Sequence, residues 1–145
     1  MTNLLNGRLP VCLVLIVAAS VLSGAQTSGK KPKHKLLGEY TNRRQVLLKY
    51  VLIEKNLSQK ELTALAARLH RAEPKTYFWF LDDDTMFPKM LGSLKEIEEG
   101  NSENYPTEWA RDHIIASLQE WMATGRGRYW VLCKGDGIDK IAEIR

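Results

Sequence analysis

The stretch Thr76-Tyr77-Phe78-Trp79-Phe80-Leu81-Asp82-Asp83-Asp84 decides how the rest of the chain is read. From Tyr77 to Leu81 every residue is aromatic or apolar, and at Asp82 the chain turns acidic. A run this short, bounded by Pro74 and by acids, has the pattern of a strand covered on both faces. Its carboxyl end carries three successive carboxylates, which makes Asp82, Asp83 and Asp84 the first candidate site.

Upstream, Arg44–Glu54 predicts another strand. Val46, Leu47, Leu48, Tyr50, Val51, Leu52 and Ile53 are apolar, with Lys49 the one interruption, again the pattern of a strand with two covered faces. Between the two strands, Ser58-Gln59-Lys60-Glu61 is a capping box, in which the serine hydroxyl and the glutamate carboxylate each satisfy an orphan backbone group at a helix start. Leu62, Leu65, Ala66 and Leu69 then recur at helical spacing, and Pro74 ends the segment. Strand, helix and strand over so short a span predict a parallel pair joined by a right-handed crossover.

Downstream, Asp84 or Thr85 is placed to cap a second helix running to about Glu99. Pro88 is tolerated in its first turn, Phe87, Leu91, Leu94 and Ile97 form its inner stripe, and Gly100 is its natural stop. Pro106 opens a third helix, read to about Thr124, with Ala110, Ile114, Leu118 and Trp121 on one face and Gly125 and Gly127 at its end. Arg128–Lys134 predicts a strand, and Lys134-Gly135-Asp136-Gly137 a tight turn. Ile138–Ile144 returns as an antiparallel partner, or as a short helix given the three-residue spacing of Ile138, Ile141 and Ile144. Leu36–Asn42 is left unassigned. The fold class expected is α+β: a mixed sheet of about four strands in the order β-α-β-α-α-β-β, packed by three helices.

The amino end reads differently. Arg8 precedes an apolar run, Val11–Leu22, broken only by Ser20, and Ser23-Gly24-Ala25 puts small residues where a signal peptidase cuts. This is the layout of a secretory signal peptide over 1–25. The run is shorter than the roughly 20 residues of a spanning helix; the alternative is a membrane anchor over residues 9–25. Gln26–Lys35 is polar and basic, a flexible linker to a single domain over 36–145. Arg8, Lys30, Lys31, Lys33 and Lys35 are the basic residues up to position 35. Taking those five from the 21 Lys and Arg leaves 16, against 17 acids, so the net charge of +4 belongs to the amino end. A nearly neutral domain argues against a nucleic-acid-binding face, which needs clustered basic residues. Of the two cysteines, Cys12 lies in the apolar run and Cys133 stands alone beyond it, so no internal disulfide is expected. Asn56-Leu57-Ser58 is a glycosylation acceptor by spacing.

Acids at the carboxyl end of a parallel strand sit where open α/β sheets bind ligands, and paired carboxylates there are hard-oxygen ligands for a divalent cation. The strand followed by Asp82-Asp83-Asp84-Thr85 resembles the first motif of the haloacid dehalogenase-type phosphotransferases, Asp-x-Asp-x-Thr after a hydrophobic strand. It also resembles the Asp-x-Asp motif of nucleotide-sugar glycosyltransferases. Thr85 stands one position early for the first family, the glycine of its turn is missing, and no second paired-acid motif follows. The chain is assigned to neither. The competing role of the acids is to cap the second helix and complement its dipole. His113, following Asp112 and four residues after Trp109, is the candidate general base or metal ligand. His70 is placed to face the negative end of the first helix, and Cys133 to fill the core as a small apolar side chain.

Tyr77, Phe78, Trp79, Phe80, Phe87, Trp109, Trp121 and Trp130 are more aromatic mass than a small sheet requires, and some are expected to line an exposed groove. The expected function is that of a small exported, non-enzymatic binding domain for a protein, peptide or glycan, without a cofactor. The alternative is a small metal-assisted hydrolase or transferase using Asp82, Asp83, Asp84 and His113.

Overall fold

A computed structural model describes residues 32–145. The segment read as a signal peptide and most of that read as a linker lie outside the described residues. In chain order the elements are β1 (His34–Thr41), β2 (Leu47–Ile53), α1 (Gln59–Ala72), β3 (Tyr77–Leu81), α2 (Phe87–Glu98), α3 (Thr107–His113), β4 (Ile114–Ala123), β5 (Gly127–Lys134) and β6 (Lys140–Ile144). The six strands form one sheet whose spatial order, β1-β2-β3-β4-β5-β6, is the order of the chain. Only β2 and β3 run parallel, and every other neighbouring pair is antiparallel.

The crossover unit forms for the reasons its sequence contains. Ser58 caps α1, its hydroxyl accepting from the Glu61 amide, while the Glu61 carboxylate accepts from the Ser58 amide at 2.9 Å. Leu62, Leu65 and Ala66 are buried against Val51, Phe78, Phe80, Leu118 and Leu132 of the sheet. On the other face a second cluster joins Tyr50 and Leu81 to Phe87 and Met90 of α2, Ala110 of α3 and Ile114. β3 is thus covered on both sides, by α1 on one and by α2 and α3 on the other.

Three expectations are corrected. The sheet has six strands, not about four, and the element order is β-β-α-β-α-α-β-β-β. One added strand is β1, which takes in the unassigned Leu36–Asn42 up to Thr41 and, with His34 and Lys35, the last two residues assigned to the linker. The other comes from the helix read over 106–124, which stops at His113. Ile114 and Leu118 are four residues apart, the spacing of one helix face, but in the strand the bulge at Ile115 puts them on opposite faces, Ile114 with Leu81 and Leu118 with Phe78. The apparent helical periodicity therefore joined residues of two different clusters. The β-branched pair Ile114-Ile115 favours the strand, and Ala116 and Leu118 pair directly with Phe80 and Phe78. Gly125 and Gly127, with φ of 80° and 73°, turn the β4–β5 hairpin instead of ending a helix. The third correction is at α2. Its amino cap is Met86, with no side-chain capping bond, so neither Asp84 nor Thr85 caps it.

α2 crosses β1 at Gly38, beside a bulge at Leu37. A Cβ on Gly38 would lie 3.1 Å from Phe87 Cζ and 3.3 Å from Leu91 Cδ2, and Phe87 is buried among Tyr50 and Met90. Gly38→Ala is expected to lower unfolding free energy by about 1–3 kcal/mol through overpacking, read from the urea midpoint. A midpoint equal to that of the natural chain would show that Phe87 and Leu91 have room to move.

Candidate functional site

The acids leave β3 where β4 begins. A bulge at this end of the β3–β4 pair sets Phe80 opposite Ala116 but Leu81 opposite Ile114, making Ile115 the extra residue; bulges re-aim side chains in this way. The next step outward brings Asp82 to His113. The Asp82 amide donates to the His113 carbonyl at 3.2 Å, and Asp82 Oδ1 lies 2.8 Å from His113 Nδ1. Both side chains are partly exposed. The expected candidates Asp82 and His113 are therefore neighbours, although 31 residues separate them.

Asp83 is used differently. Its Oδ1 accepts from the Thr85 amide at 2.9 Å, from the Thr85 hydroxyl, and from Trp109 Nε1 at 2.9 Å. Those donors favour the charged form, and the carboxyl is held down at about 2, with Thr85 the first cause and Trp109 the next. The Trp109 ring leans over His113, ring centroids 5.5 Å apart. Trp109 was not among the expected site residues; its four-residue spacing from His113 was the only signal. Asp84 is exposed and lies 3.9 Å from Lys35 Nζ.

Two carboxylates thus build one imidazole site. Asp82 holds Nδ1, and Asp83 holds the indole beside the ring. His113 Nε2 has no hydrogen-bond partner among the described residues, so the pair can accept a proton or a hydrogen bond there. The acids do not converge on a common point: Asp82 turns to His113, Asp83 to Thr85 and Trp109, and Asp84 to Lys35. Among the described residues no group of three His, Cys, Asp or Glu side chains is arranged to hold a metal ion.

The other single residues fall elsewhere. Cys133 is buried in β5, and burial raises its thiol, the inert condition of a core cysteine. His70 lies in the last turn of α1, but its ring packs on Trp130 at 4.7 Å, and its Nδ1 is buried without a partner. Burial lowers its pKa, so desolvation outweighs the helix dipole that was expected to favour the charged form.

Of the aromatic residues, Phe78, Phe80 and Phe87 are buried, and Tyr77, Trp79, Trp109, Trp121 and Trp130 are half-buried. Tyr77 and Trp79 line a groove of about 300 Å3 toward the amino end of β3, away from the acids. Its floor is Leu48 of β2, the two aromatics and Gln119 of β4. Its walls are two turns. In one, Asn42 Oδ1 accepts from the amides of Arg44 and Val46, both at 2.9 Å, and Gln45 takes a positive φ of 61°. The other, residues 135–137, is held by the Gly135 amide on the Ile115 carbonyl at 2.9 Å and by Gln119 Nε2 at 3.5 Å from the Gly137 carbonyl. It presents Asp136. Asn42, Arg44, Gln119 and Asp136 were not expected as site residues. Only the turn around Asp136 was legible, and Gln119 stood on what read as a helix.

Two pH predictions follow from the shifted groups. Asp83 has a folded pKa of about 2 against an ordinary 3.8, so its contribution to stability is complete above about 3.8 and disappears as pH falls through 2. Asp83→Asn is expected to lower the melting temperature at pH 7 and to flatten the acid limb of a melting-temperature profile between those values. His70 has a lowered folded pKa, so its contribution is complete above 6.5 and is lost as pH drops below it. His70→Phe, which keeps a ring on Trp130, is expected to remove that slope from the same profile; an unchanged slope would show that His70 is not its source. Compared with known proteins, the chain matches no family model, no curated protein and no solved structure.

Proposed function

We propose that this chain is a small exported, non-enzymatic binding domain that takes its ligand in the groove over β2, β3 and β4. One observation carries the reading. Asn42, Arg44, Gln119 and Asp136 border the groove, and Asn42 Nδ2, Gln119 Oε1, the Arg44 guanidinium and the Asp136 carboxylate have no hydrogen-bond or ion-pair partner among the described residues. Asp82 and Asp83, by contrast, are engaged inside the chain. Polar groups gathered over half-buried aromatic rings are the usual make-up of a ligand pocket. Export is supported by the apolar run Val11–Leu22 and by Ser23 and Ala25 after it. Among the described residues no helix is long and apolar enough to cross a membrane.

A second reading, a metal-assisted hydrolase or transferase using Asp82, Asp83, Asp84 and His113, is favoured by the Asp82–His113 pair. A carboxylate on one ring nitrogen of a histidine orients the other for proton transfer.

Amide chemical shifts measured against a pool of small polar and aromatic fragments separate the two. Shifts are expected to gather at Asn42–Leu48, Tyr77–Trp79, Gln119 and Asp136. Shifts gathered instead at Asp82–Thr85 and Trp109–His113 would move the binding site to the acid end and favour the enzyme. Melting in millimolar magnesium, calcium or manganese gives an independent reading, because a bound ion raises the melting temperature by mass action. No rise is expected. A rise abolished in Asp82→Asn/Asp84→Asn would overturn the non-enzymatic proposal.

A further inference from the structure

Resting on the groove reading above, we infer that its ligand is a neutral pyranose sugar, free or as the terminal unit of a glycan. Size is the first argument. About 300 Å3 lies at the lower end of small-molecule pockets, enough for one or two rings and too little for a folded partner.

Backbone accounting is the second. The floor is formed by β2, β3 and β4, and each is paired on both sides in the sheet. A peptide that recognises a sheet by adding a strand needs free backbone donors and acceptors along an edge, and this floor has none to offer. Recognition here falls to side chains.

The chemistry of those side chains is the third argument. Asn42 Nδ2 and the Arg44 guanidinium donate, while Gln119 Oε1 and the Asp136 carboxylate accept. Donors and acceptors bordering one groove match vicinal hydroxyls, each of which both donates and accepts. Arg44 and Asp136 carry opposite charges, so the rim is balanced and selects neither an anion nor a cation strongly. Trp79 and Tyr77 supply the apolar floor on which the C–H face of a pyranose ring rests.

The groove is also built before the ligand arrives. Asn42 folds the first wall onto its own carboxamide oxygen, and Gln119 Nε2 spans Ser117 Oγ at 2.6 Å and the Gly137 carbonyl in the second. The Gln119 carboxamide oxygen is thereby left without a partner among the described residues. Walls fixed in advance reduce the ordering cost of binding, which a ligand with few apolar atoms needs.

The test is a nuclear magnetic resonance titration of the Trp79 indole N–H and the Gln119 side-chain amide. The probes are the methyl glycosides of glucose, galactose and mannose, N-acetylglucosamine, glucose 6-phosphate and a blocked tripeptide. A saturable shift of both signals with at least one neutral sugar is expected. Arg44→Ala and Asp136→Ala, both at exposed positions, are each expected to weaken that binding about tenfold, the loss of one charge-assisted hydrogen bond. Their melting temperatures are expected to match the natural chain, which separates lost recognition from lost folding. Binding of the phosphate sugar alone overturns the neutral-ligand inference. Binding of the tripeptide with all sugars silent overturns the sugar inference and leaves the binding-domain reading standing. Silence of every probe overturns both. A sugar shift unaffected by either variant also overturns the inference, since the polar rim would not be what recognises the ring.

Discussion

Everything in this fold depends on burying β3 from both sides at once. Phe78 and Phe80 face one way, and Leu81 joins the cluster on the other side, so neither surface of the strand can be left to water. A hairpin alone covers no face. The chain resolves this by leaving β2 through α1, which returns it parallel and lays Leu62, Leu65 and Ala66 across the first surface. It then sends α2 and α3 across the second before β4 closes the pair. The mixed sheet follows from this requirement, since a parallel connection is long enough to carry a covering helix and a tight hairpin is not.

The two ends of β3 then take on different work. At the carboxyl end the polar groups satisfy one another: Asp82 with the backbone and ring of His113, Asp83 with Thr85 and Trp109. These bonds fasten the α3–β4 junction to the strand that precedes it. Toward the amino end the polar groups are used on one side only. Asn42 and Gln119 border the groove, and each spends one half of its carboxamide inside the chain and leaves the other half without a partner among the described residues. That asymmetry, more than aromatic content, is what the proposed recognition role rests on.

How much of this could be read beforehand depended on how local its cause was. The capping box, the aromatic strand, the Gly135 turn and the return of β6 are written in consecutive residues. β1 is an edge strand whose exposed Leu36 and bulged Leu37 blur its alternation. β4 failed because Ile114 and Leu118, four residues apart, read as one helix face, whereas the bulge at Ile115 puts them on opposite faces of the sheet, where the partners Phe78, Phe80 and Leu81 decide the strand. The acids were legible as a cluster, but their divergence to separate partners was not, since His113 and Trp109 approach from α3 and Lys35 from β1, both distant in sequence. The groove was least legible of all. Asn42, Trp79, Gln119 and Asp136 share no local pattern, and only the sheet brings them together.

The identity between strand order and chain order has a consequence for how the molecule is made. Each strand, as it emerges, finds its partner immediately behind it, and none has to wait for a later segment to be inserted between existing neighbours. The loops that must close are therefore short, apart from the α1 crossover and the α2–α3 connection, and a low mean separation between touching residues goes with rapid folding. Such a sheet grows from one side, like courses of brick. A chain threaded from its amino end can begin to order as it arrives, with β5 and β6 completing the wall last.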